Sequence, residues 1–283
     1  MSNASIRIEQ LMLPTYPEPG KEEMPLFSEH RVHQRSTGRP YPNKVVLEVN
    51  RERKIERSYT VVHLENEYLD VLVLPEIGGR IFAARDKVTD YDFFYRQHVI
   101  KPGLIGALGS WISGGVEFNW PYHHRPSGFL PCDFETEECG DGSVICWLSE
   151  HDPIDRMKGM VGIVLKPGCA YLETRVKLCN RTPVTKSFLW WENAAVPVNE
   201  SYQIFFPKDV TYVNFHYLDS RISYPIAGDA TFNGIDMTTA RDISWHKNTK
   251  DATSYFACAS QYDFFGGYDH GLDCGVVHIG DHH

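Results

Sequence analysis

No apolar run approaches the length of about 18 residues that a bilayer crossing requires, and no short apolar stretch follows a basic N-terminus. Neither a membrane span nor a secretory leader is expected, so the chain is read as cytoplasmic with no membrane partner. Positive charge is also scarce. With 28 Lys and Arg against 37 Asp and Glu, the formal charge is −9, and Arg51–Lys54 is the densest basic patch, too short and mixed with acid to attract a polyanion. DNA, RNA and anionic membrane surfaces are excluded as partners on that balance. The seven cysteines (Cys132, Cys139, Cys146, Cys169, Cys179, Cys258, Cys274) are scattered and never form a C-x-x-C pair. A disulfide framework and a zinc knuckle are both unsupported, and reduced thiols are expected. Also missing are a G-x-S-x-G elbow, a phosphate-binding G-x-x-x-x-G-K-[ST] loop, H-E-x-x-H and a dinucleotide fingerprint, and no cofactor is expected.

Helix signals are absent too. No stretch of three turns shows an apolar stripe with a start cap and a stop, whereas short apolar or alternating runs recur between Gly, Pro and Asn-rich breaks. Strands are expected at Ser5–Leu13, Val45–Val49, Tyr59–Leu64, Tyr68–Leu74 and from Arg80 onward. Further strands are expected at Val116–Trp120, Cys132–Glu138, Ser143–Glu150, Gly159–Lys166 and Tyr171–Asn180, then through SFLWWENAAV. The last group is Gln203–Phe206, Thr211–Leu218, Thr253–Ser260 and Gly275–Ile279. In Tyr171–Cys179 the alternation places Leu172, Thr174, Val176 and Leu178 inward, with Glu173, Arg175 and Lys177 in water. Asp263–Gly271, DFFGGYDHG, reads as an aromatic and glycine loop. About fifteen short strands with almost no helix point to a large all-β sandwich. Residues 1–40 are expected as an N-terminal arm on a sandwich domain spanning 41–283. Ser2-Asn3-Ala4 resembles an expression scar, and the stop at Asp281-His282-His283 leads us to expect a piece of something longer.

The stretch Gly103–Pro131 carries the densest chemistry. Gly114 and Gly115 permit a bend, after which Val116, Phe118 and Trp120 share one face of a short strand and Glu117 and Asn119 the other. Pro121 ends that ladder, and His123, His124 and Arg125 follow it closely. A carboxylate, an amide, imidazoles, a guanidinium and indoles are groups that hydrogen-bond to and stack on sugars. A second segment repeats the mixture, with Trp190 and Glu192 on one face and Trp191 and Asn193 on the other. Glu117 and Glu192 are therefore the candidate acid/base pair for work on a glycosidic bond. Arg80, Trp111, Asn119, Trp120, His123, His124, Arg125, Trp191, Asn193 and His216 are the candidate sugar contacts. The competing reading pairs either acid with Arg80 or Arg125 in a structural salt bridge. Adjacent histidines on an extended chain point to opposite sides, so no metal site is expected.

Three runs, LENEYLDVLVLPEIGGRIFAARDK, KPGLIGALGSWISGGVEFNWPYHHRP and YLETRVKLCNRTPVTKSFLWWENAAV, together resemble the bacterial family DUF5107. The likeness covers about residues 5–283. It implies a galactose mutarotase-like β-supersandwich whose concave face binds carbohydrate, with tetratricopeptide repeats following in the full-length protein. That fold is shared by aldose epimerases and by domains of glycoside hydrolases and lyases. The position corresponding to the epimerase histidine falls near Glu192-Asn193 and holds no histidine. The resemblance therefore implies sugar binding more directly than epimerase chemistry. A non-catalytic glycan- or protein-recognition module is the alternative to a carbohydrate-active enzyme.

Overall fold

A computed structural model describes residues 3–17, 50–105, 109–121, 125, 127–153, 155–215, 221–228, 231–232, 235–236, 239, 241–249 and 254–281. The chain divides into two compact units, Met1–Val196 and Pro197–His283. The division falls within the span 41–283 that the sequence treats as one sandwich.

Strands of the first unit are β1 (Ser5–Thr15), β2 (Ile55–Glu65), β3 (Leu69–Leu74), β4 (Arg80–Asp86), β5 (Tyr91–Asp92), β6 (Gly103–Ile105), β7 (Gly109–Trp111), β8 (Val116–Asn119), β9 (Asp133–Glu138), β10 (Val144–His151), β11 (Met157–Leu165), β12 (Glu173–Asn180) and β13 (Trp191–Ala194). A seven-stranded sheet runs β1-β2-β3-β4-β8-β13, with β5 attached to β4, and a four-stranded sheet runs β12-β11-β10-β9. Every pairing in both is antiparallel. This part of the chain is an all-β sandwich.

Strict alternation explains why the two sheets stack. Val62, Leu64, Val71, Val73, Ile81, Val116 and Phe118 from one sheet meet Val144, Cys146, Leu148, Val161, Ile163 and Leu165 from the other in a single buried cluster. The opposite face of the larger sheet carries a second cluster, built from Leu13, Tyr59, Val61, Leu74, Phe82, Ile100, Ile112 and Phe129. β3 and β4 are thus covered on both sides, which is why YLDVLVL reads as apolar on both faces. In β12, Val176 lies opposite the buried Val161, on the side the alternation expects inward, but Val176 is itself 38% exposed, because β12 is the edge strand of its sheet and that face is only partly covered. The N-terminal segment enters the sheet itself, with all of β1 laddered onto β2 from Ser5↔Glu65 to Thr15↔Ile55. The predicted strand Val45–Val49 and the rest of the predicted arm lie outside the described residues.

In the second unit β14 (Tyr202–Phe205) starts a sheet ordered β14-β22-β23, with β22 (Phe264–Asp269) and β23 (Cys274–Ile279). A second sheet is ordered β16-β15-β21, from β15 (Tyr212–Phe215), β16 (Arg221–Ser223) and β21 (Tyr255–Ala257). Two short ladders join β17 (Ile226–Ala227) to β20 (Arg241–Asp242) and β18 (Thr231–Phe232) to β19 (Ile235–Asp236). The predicted loop Asp263–Gly271 is instead largely the central strand β22. Gly266 and Gly267 are there because the rings of Phe205 and Tyr202 lie against them where a Cβ would stand. Among the described residues, no helix is long and apolar enough to cross a membrane.

Candidate functional site

The site is built on the turn that enters β8. Gly114 and Gly115 have φ of +92° and +64°, and a Cβ on Gly115 would be driven into the Ile81 carbonyl, so this bend requires glycine. Arg80, at the start of β4, lies beneath the turn and is 3% exposed. Its Nη1 donates to Ile112 O at 3.0 Å and its Nη2 to Gly114 O at 2.7 Å. Burial lowers the Arg80 pKa to about 10, against the opposing pull of Glu117. Gly115 N also donates to Tyr95 O, and Ala195 N donates to Gly115 O, so the bend is tied to β13 as well.

The ladder of β8 with β13 sets which side chains meet. Trp191 is opposite Asn119, Glu192 opposite Phe118, and Asn193 opposite Glu117. Residues directly opposite each other share a face, so Glu117, Asn119, Trp191 and Asn193 stand together. Asn193 Nδ2 donates to Glu117 Oε1 at 3.1 Å. Glu117 and Trp191 are half-buried and Asn193 is exposed. Glu192 lies on the other face, with Phe118 and the core between the sheets. The two candidate acids therefore point away from each other across the sheet. The sequence-derived pairing of Glu117 with Glu192 does not form in this register.

Several expected ligand contacts turn out to hold the frame. Asn119 is 2% exposed, and its Oδ1 accepts from Arg125 N at 3.1 Å. Arg125 forms an ion pair with Glu150 Oε2 at 2.6 Å and donates through Nη2 to Gly78 O, tying the loop after β8 to β10 and to the β3–β4 turn. Trp120 is 4% exposed, with its indole flat against Gly159. Trp190 stacks on Phe118 with ring centroids 6.1 Å apart. Phe118, Trp120, Arg125, Glu150, Gly159 and Trp190 help line a narrow crevice, with room for about one water, at this end of the sandwich. Trp111 is half-buried on β7, separated from Glu117 by the Ile112–Gly115 bend. His123, His124 and His216 lie outside the described residues.

Sequence reasoning missed Glu150, the partner of Arg125. Nothing local announces it, since the two residues come from separate elements and meet only when the sheets stack. Cys132, near the same crevice, has its pKa pushed up to about 11 by burial, which makes it a poor nucleophile. Among the described residues, no three His, Cys, Asp or Glu side chains gather as a metal would need. The arrangement on the Glu117 face offers acceptors, an amide donor and an indole to a polar ligand with apolar faces.

A crystal structure of a TPR-domain containing protein from Parabacteroides distasonis is similar to this chain, with a TM-score of 0.76 at 21% identity. The match covers 99% of this chain and 44% of that one, so this chain spans less than half the length of that protein. At that identity the likeness concerns the fold. The family model described as a domain of unknown function, DUF5107, matches residues 37–283. The chain belongs to the DUF5107 family.

Proposed function

We propose that the β8–β13 face binds carbohydrate and that this chain is a recognition module. The observation that carries the reading is the register of the ladder, which gathers Glu117, Asn193 and Trp191 on one half-open face and sends Glu192 to the other. Carboxylate and amide oxygens accept from sugar hydroxyls, and an indole covers the C–H face of a pyranose. Hydrolysis of a glycosidic bond by the usual two-carboxylate route needs both acids flanking the same bond. Glu117 and Glu192 on opposite faces do not supply that.

The test is isothermal titration and thermal shift against a panel of mono- and oligosaccharides. A sugar that stabilises the protein, and is lost in Trp191→Ala and Glu117→Gln but kept in Glu192→Gln, supports the reading. Equal loss in Glu192→Gln, or turnover of the sugar, removes the recognition-module assignment. A second reading, a protein-recognition module of a repeat-bearing protein, is favoured by the TPR-domain neighbour of more than twice this chain's matched length. Silence across the sugar panel transfers the weight to it. All seven cysteines are free thiols, in keeping with a reducing cytoplasm. Recovery of the protein in an oxidising compartment on cell fractionation would reverse that placement.

A further inference from the structure

β1 is an 11-residue strand at the edge of the seven-stranded sheet. On one side it is fully laddered to β2. Among the described residues its other side is engaged only at the two ends, where Ala4 N meets Gly142 O and where Pro14 and Tyr16 meet Ile100. Between those ties, Ser5–Leu13 has no paired strand on that side among the described residues. Such an edge is a template for another strand, and proteins commonly blunt it with proline, a bulge or brevity. Here the free span is long and holds no proline, Pro14 lying just beyond it in the tie to Ile100, and its pairing with β2 runs without a register shift.

The side chains of that span are self-complementary. Ile8 is 56% exposed and Met12 55% exposed. Arg7 and Glu9 flank Ile8 with opposite charges, and their side chains are 46% and 43% exposed. We propose that β1 pairs antiparallel with β1 of a second copy of this chain, about a twofold axis through Ile8. Ile8 then lies against its own copy, and each Arg7 lies opposite the partner's Glu9. Ile6 lies opposite Gln10, and the even-numbered face of both strands stays on one side of the continued sheet. The pairing is isologous and closes on itself, as a twofold requires. Charge selects this register over its neighbours. An axis through Glu9 sets that carboxylate against itself, and an axis through Arg7 does the same for the guanidinium. Inside each chain Arg7 also bonds Glu65 Oε2 at 3.0 Å and Glu9 bonds His63 Nδ1 at 2.7 Å, so both charges are already oriented on their face of the sheet.

The test combines sedimentation equilibrium with cysteine crosslinking of the full chain. A concentration-dependent dimer is expected, weakened about tenfold or more by Arg7→Glu and restored by the double exchange Arg7→Glu with Glu9→Arg. Ile8→Cys, an exposed substitution, is expected to give a disulfide-linked dimer on mild oxidation, because the two Cα atoms at the axis fall within bridging distance. Gln10→Cys is expected to stay unlinked, since its two copies lie several residues apart in this register. A monomer up to millimolar concentration overturns the proposal. So does crosslinking through Gln10→Cys in place of Ile8→Cys. The crosslinking outcome stands even if Arg7→Glu fails to fold.

Discussion

Replacing Arg80 with Met tests whether the guanidinium under the β8 turn is structural, and the outcome depends on two opposing effects of similar size. The stem is retained and the packing nearly unchanged, so the substitution isolates the charged head. Two hydrogen bonds to buried carbonyls are lost, at 3.0 Å to Ile112 O and 2.7 Å to Gly114 O. Bonds from a charged donor contribute about 1.5–3 kcal/mol each, so their loss costs roughly 3–6 kcal/mol. Against this, the protein no longer buries an ion. The drop of the Arg80 pKa to about 10, in which burial outweighs the attraction of Glu117 and Arg125 adds repulsion, corresponds to roughly 3 kcal/mol of net penalty on the charge that the exchange releases. The hydrogen bonds win by about 2 kcal/mol, and Arg80→Met destabilises the first unit by that amount. The assay is urea unfolding with an unchanged m-value, read together with hydrogen exchange at the amides of Gly115 and of β8. Protection there should fall first, because the turn loses its anchor while both sandwich cores stay packed. A variant as stable as wild type, or more stable, would mean that desolvation outweighs the two bonds and would refute the structural role given to Arg80.

Asn66 offers a sharper loss. It is 5% exposed, donates to Lys166 O and Cys169 O, and accepts from Tyr68 N and Leu69 N, so Asn66→Ala should cost about 3 kcal/mol in the same urea assay. Thiol labelling at pH 8 should find Cys179 first, since it is exposed, while Cys132 and Cys146 lag because burial raises both of their pKa values. Parity between Cys132 and Cys179 in the labelling time course would contradict that. The hydrogen bond from Lys87, followed by that from Arg7, holds the Glu65 carboxyl below the usual carboxylate range. A carboxylate lowered on folding contributes stability above its unfolded pKa and loses it as pH falls through the folded value. As pH drops below the ordinary carboxylate value of 4.5, stability should therefore fall less steeply in Lys87→Ala than in wild type.

How legible each part was depended on how local its cause is. The covered strand β3 was readable because a side chain's face follows from its own position in the strand, whereas the exposure of Val176 on β12 was not, because it depends on what covers an edge strand. The Gly114-Gly115 bend was readable as well, although the Ile81 carbonyl that demands it was not. DFFGGYDHG was misread because glycine pairs usually signal turns, whereas here they make room for the rings of Phe205 and Tyr202 from a neighbouring strand. Trp120 and Arg80 looked like surface chemistry beside Glu117, but one indole lies on Gly159 and the guanidinium is committed to two carbonyls. Neither partner is near in sequence.

The amino-acid sequence alone determined that this chain is an all-β sandwich, and it determined which residues within each short strand share a face, since both follow from a period of two and from turn chemistry. Only the tertiary structure decided how those faces are phased between strands. One pairing register brings Asn193 onto Glu117 and turns Glu192 to the opposite side, because alternation defines two faces for a strand, while hydrogen bonds to its neighbour choose which face meets which.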